Sequence, residues 1–170
     1  DALGYDKTSL RAIARHAVVD PALVHHYFTS KAQLLASVLL DEDLDVPTLV
    51  EALAVSEPTT IGDRLSRSLF QRWESPRYKG PLMEFLAPGE TRDRRTRLLG
   101  EFLAREVFSR VAALRGHSNS VLRGYLAAST IMGLLSARDI IRMGSLPATS
   151  TRHLIEPVGR VLQHYIVDEW

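Results

Sequence analysis

Residues 9–31 read SLRAIARHAVVDPALVHHYFTSK, and the way this stretch changes direction decides the fold. Leu10, Ile13, Ala14 and Ala17 recur at helical spacing behind Ser9, a residue suited to capping a helix. The AVVD run breaks that period, and Asp20-Pro21 restarts it. Asp caps well, and Pro sits without loss at the first helical position, where its missing N–H is not needed. The second helix is short, with Val24 and Phe28 one turn apart on its inner side. Ser30 and Gln33 then have the spacing of a capping box and open a third helix, KAQLLASVLLDEDL. Three helices in rapid succession, with a tight turn between two of them, form a small trihelical unit.

A helix-turn-helix needs a first helix that packs, a tight turn, and a second helix whose outer side is free to enter a major groove. Leu10, Ile13, Ala14, Val19, Val24 and Phe28 are expected to share the core. Pro21, Ala22, His25 and His26 are left on the outer side, with Leu23 near its edge. Small residues at the helix start let the backbone approach base edges, His donates to phosphate or base acceptors, and Leu23 or Ala22 can touch a thymine methyl. Tyr27 and Lys31 are natural phosphate contacts, and Ser9 with its helix amides can clamp the far side of the groove. Neighbouring histidines point about 100° apart on a helix, so His25 and His26 are poorly placed to grip one ion. No HExxH spacing, Ser-His-Asp set or glycine-rich phosphate cradle accompanies them, so no catalytic or metal site is assigned.

The rest of the 170 residues also reads as helix: 61–73 is amphipathic, and long helices are expected at about 92–115, 119–143 and 151–168. Pro47, EPTT at 57–60, Pro76 and Gly80-Pro81 read as interruptions and connectors. Pro157 should bend the last helix or mark its first turn. The fold class is therefore all-α, with a helix-turn-helix unit over 1–44 and a larger helical domain over 45–170. A hydrophobic fraction of 45% and a charged fraction of 24% are those of a folded chain. No apolar run approaches the roughly 18 residues of a membrane span. Cysteine is absent, which fits a cytoplasmic protein. A net charge of +1 does not advertise nucleic-acid binding over the whole surface, so any footprint must be local.

In the larger domain, Gly124, Ala128, Gly133 and Ala137 permit close helix packing. With Leu154, Val158, Val161, Leu162 and Tyr165 they suggest a homodimer formed as a four-helix bundle; an ordinary intramolecular core is the alternative. Phe70, Trp73, Met83, Phe102 and Tyr125 suggest the lining of a cavity for a small apolar effector, and core packing explains them nearly as well.

The stretch GYDKTSLRAIARHAVVDPALVHHYFTSKAQLLASVL at 4–39 resembles the DNA-binding segment of the TetR family of bacterial transcriptional regulators. The matching residues are Gly4, Thr8, Ser9, Arg11, Ile13, Ala14, Ala17, Val19, Val24, Phe28, Ser30, Lys31, Leu34 and Leu35. The resemblance implies a dimeric, ligand-responsive regulator, a repressor of a pseudo-palindromic double-stranded DNA operator, not an enzyme. The chain departs from the family pattern in three ways. Val18 stands where the turn usually has Gly, a position that strains a β-branched residue if φ is positive. His25 and Tyr27 look exchanged relative to the usual order. Only DAL precedes Gly4, so most of the family's first helix is expected further back than Asp1. The competing reading is an all-α protein that binds or modifies a small molecule, its trihelical unit a structural remnant.

Overall fold

In a computed structural model of the chain, residues 8–28, 30–39, 46–85 and 92–170 are described. Three short helices come first: α1 (Leu10–His16), α2 (Pro21–Tyr27) and α3 (Lys31–Leu39). Each starts where the sequence supplies a cap. The Ser9 hydroxyl accepts from the Ala12 amide at 3.1 Å, Asp20 Oδ1 from Ala22 at 2.8 Å, and Ser30 Oγ from Gln33 at 3.1 Å. Leu10 and Ala14 are buried, and Ile13, Val24 and Phe28 are half-buried. Val19 departs from expectation, being 41% exposed.

The reason lies in the turn. The Val19 amide donates to the Ala14 carbonyl at 3.0 Å and the Val18 amide to Arg15 at 3.3 Å, the paired bonds of a Schellman ending. That ending needs a left-handed residue between the two, and Val18 takes it with φ 57°. The chain reverses there, which carries Val19 to the outside of the turn. The same motif closes a later helix with Gly116 at φ 91°, where His117 donates to Ala112 and Gly116 to Ala113.

Next comes α4 (Val46–Ala54), a helix where only interruptions were expected. Pro47 lies in its first turn, where proline is tolerated, and Val46, Val50 and Leu53 form a buried stripe. A 3-10 turn (Pro58–Thr60) leads into α5 (Ile61–Glu74), and α6 (Pro76–Phe85) follows after one residue. Gly80-Pro81 is thus not a connector: α6 runs through it, giving up one backbone bond. Then come α7 (Arg92–Phe102), a π-helical segment (Leu103–Phe108), α8 (Ser109–Leu114) and α9 (Ser120–Leu135). A second π segment (Ser136–Ile140), a 3-10 turn (Leu146–Ala148) and α10 (Thr151–Ile166) complete the fold. Pro157 lies inside α10 rather than at its start.

The core is one cluster running from Leu35 through Phe70, Phe102, Phe108 and Ile131 to Leu162 and Ile166. Two glycine crossings set its geometry. Where α5 meets α10, a Cβ added to Gly62 would land on the Gly159 carbonyl. Gln163 seals this crossing: its amide oxygen accepts from Gly62 N–H at 2.9 Å and its amide nitrogen donates to the Pro58 carbonyl at 2.9 Å. Gly124 of α9 presses against the π segment after α7, where a Cβ would overlap Ser109 and the Ala104 carbonyl. At the end of α10, the buried Arg123 donates to the carbonyls of Tyr165 at 3.0 Å and Asp168 at 2.8 Å. It thereby satisfies acceptors that a helix terminus leaves open.

Candidate functional site

The three N-terminal helices present α2 as the most exposed element. No residue of α2 is buried. Val24 and Pro21 are half-buried, and Ala22, Leu23, His25, His26 and Tyr27 are exposed, Leu23 at 49% and Tyr27 at 65%. The edge of the His26 ring meets Tyr27 with centroids 5.1 Å apart. Ser9 is exposed at the start of α1, and Lys31 is half-buried as the first residue of α3. All eight residues expected to face DNA therefore lie on α2 or at the starts of its flanking helices. Arg11, Arg15 and His16 are exposed on α1, and no acidic residue lies in the first turn of α1 or α2. Among the described residues, Asp20 is the exposed acid set against these arginines, so this face is mildly basic at most.

Of the residues expected around an effector, Phe70, Trp73 and Phe102 belong to the main core cluster, and Met83 and Tyr125 are partly buried against it. Phe70 and Trp73 stack nearly parallel, centroids 5.6 Å apart. Tyr125 accepts from Arg105 Nε at 2.9 Å. The residues expected at a dimer interface divide. Gly124, Ala128, Val158 and Leu162 are buried within the protomer, whereas Gly133 and Val161 are exposed and Ala137, Leu154 and Tyr165 are half-buried. The small residues Gly124 and Ala128 do their close packing inside the chain, the alternative raised from sequence.

Sequence reading missed a polar corner beside Trp73. Arg138, on the second π segment, is 6% exposed and donates through Nη2 to Glu74 Oε1 at 2.5 Å. Its guanidinium also lies 5.4 Å from the centre of the Trp73 ring. Burial pushes the Glu74 carboxyl up, but the nearby Thr151 hydroxyl, the hydrogen bond and charge of Arg138 and the charge of Lys79 outweigh it, holding the carboxyl below its ordinary range. The signal was present in the sequence: an arginine at the centre of LLSARDII needs a partner if that run is buried. Among the described residues, no group of three His, Asp or Glu could hold a metal ion, and no helix is long and apolar enough to cross a membrane.

A helix-turn-helix unit with an exposed second helix, followed by an all-α bundle, is the architecture of helix-turn-helix regulatory proteins. Residues 2–38 match the family model described as bacterial regulatory proteins, tetR family, and residues 60–166 match the tetracyclin repressor-like C-terminal domain. The chain belongs to the TetR family. It is also similar to the crystal structure of a TetR-family regulator from Streptomyces coelicolor A3, with 26% identity and a TM-score of 0.55 over 96% of this chain and 85% of that one. No curated protein resembles the chain closely enough to match.

Proposed function

We propose that the protein is a sequence-specific, DNA-binding transcriptional regulator that acts as a homodimer on a pseudo-palindromic operator and represses until a small apolar effector binds. The observation that carries this reading is α2. It is a capped helix with Ala22, Leu23, His25 and His26 exposed, flanked by Tyr27 and Lys31 at phosphate-contact positions. Leu23 and Ala22 supply apolar contact to thymine methyls, His25 and His26 supply hydrogen bonds to bases or phosphates, and Ser9 holds the opposite strand. Two copies of α2 related by a twofold axis would read half-sites one DNA turn apart, about 34–36 Å centre to centre.

The dimer would form through the outward sides of α9, the π segment that follows it and α10, using Gly133, Ala137, Leu154, Val161 and Tyr165. The effector would enter near Phe70, Trp73, Met83, Phe102 and Tyr125 and favour a spacing of the two α2 helices that no longer fits DNA. α6 packs against α3, which gives the effector domain a mechanical route to the DNA-facing helices. An electrophoretic shift titration with the intergenic DNA upstream of the protein's own coding region tests this reading. Specific binding weakened by salt is expected, and the reading fails if every fragment binds alike or none binds.

A further inference from the structure

Trp73 and Arg138 bring together buried polar atoms that the fold does not satisfy. Among the described residues, Trp73 Nε1 and Arg138 Nε and Nη1 meet neither solvent nor a hydrogen-bond partner. Burying such an atom without a partner is destabilising, the more so on a charged group. Several in one corner are unusual for a native interior and call for an occupant. The corner is not starved of charge, because Glu74 already faces Arg138 and its depressed carboxyl is ionised at neutral pH. Glu74 uses only Nη2 of a guanidinium built for two-pronged contact.

We infer that this corner is a binding site for an uncharged carbonyl oxygen on an otherwise apolar small molecule. The ligand oxygen would accept from Trp73 Nε1 and the unused nitrogens of Arg138. A free carboxylate fits less well, since it would compete with Glu74 for one positive charge. Phe70 stacked on Trp73 supplies the apolar wall. The proposal rests on the effector reading above and adds the chemistry of the effector. It also gives the site a lever. Glu74 is the last residue of α5, α6 begins two residues later, and α6 packs on α3. A ligand that draws Arg138 away from Glu74 acts at the elbow leading to the DNA-facing unit.

The test uses benzamide, benzoate and toluene as probes on the Trp170→Phe protein, which leaves Trp73 as the one tryptophan of the two in the chain. Emission from Trp73 reports binding. Benzamide should bind at least about tenfold more tightly than toluene, the difference expected of one hydrogen bond to a charged group. Arg138→Lys should reduce that preference to about twofold or less. Glu74→Gln leaves Arg138 without its counter-ion and should make benzoate the better ligand. It carries the test if Arg138→Lys does not fold. Toluene binding as tightly as benzamide, or an unchanged order of probes in Glu74→Gln, overturns the proposal and leaves an apolar effector site standing. Binding of none of the three to the folded protein overturns both.

Discussion

Replacing Val18 with Gly should stabilise the helix-turn-helix unit. Val18 holds φ 57° at the left-handed position of a Schellman ending. That conformation costs an L-residue roughly 1–2 kcal/mol, and a β-branched side chain belongs near the upper end. Glycine removes the clash but loses about 0.5–1 kcal/mol more backbone entropy on folding. The side chain is 91% exposed, so little burial is forfeited. The net expectation is a gain of about 1 kcal/mol. If the chain unfolds as one unit, the melting temperature rises by about 2–4 °C, given its size. Circular dichroism of helix content measures the melt, since both tryptophans lie outside this unit. Hydrogen exchange at the Val18 and Val19 amides, donors of the two closing bonds, should slow in the same variant. The reverse change, Gly116→Val, places valine at the matching position of the second Schellman ending, where φ is 91°, and should cost about 1–2 kcal/mol. A Val18→Gly protein no more stable than the parent, beside a tolerated Gly116→Val, would refute the reasoning.

Gly124→Ala should destabilise the larger domain by about 1–3 kcal/mol or more in a urea melt, because the new methyl meets Ser109 and the Ala104 carbonyl rather than a yielding side chain. Glu74 has a depressed carboxyl pKa, so its contribution to stability is present above the ordinary glutamate value of about 4.3 and is lost as pH falls through the folded value. Glu74→Gln should therefore flatten the acid limb of a plot of melting temperature against pH, and an unchanged limb would show the pair does not act in folding. If the proposed dimer forms through α10, Val161→Glu, a charge on its exposed side, should give a monomer in light scattering without lowering the helix content.

The N-terminal unit was readable because capping chemistry marks helix starts locally. Ser9, Asp20 and Ser30 each sit where a helix begins, and each cap is made by the expected side chain. Exposure of Leu23, His25, His26 and Tyr27 followed from the period of Val24 and Phe28. Prolines were harder to place. Pro47 and Pro81 were read as breaks, yet one sits in a first turn and the other costs a helix already held by packing a single bond. The burial of Gly124 and Ala128 depends on a π segment at 103–108 that no periodicity reveals. Arg138 was passed over for a related reason: its partner Glu74 lies 64 residues away, and only the tertiary fold joins them.

The measurement that tests the central claim most directly is the affinity of parent, His26→Ala and Lys31→Ala proteins for an operator and its single-base variants, repeated across salt. Lys31→Ala should weaken binding to all sequences alike and reduce the salt slope by up to about 1, whereas His26→Ala should change which base is preferred within each half-site. If both variants bind every sequence as the parent does at every salt concentration, α2 does not face DNA.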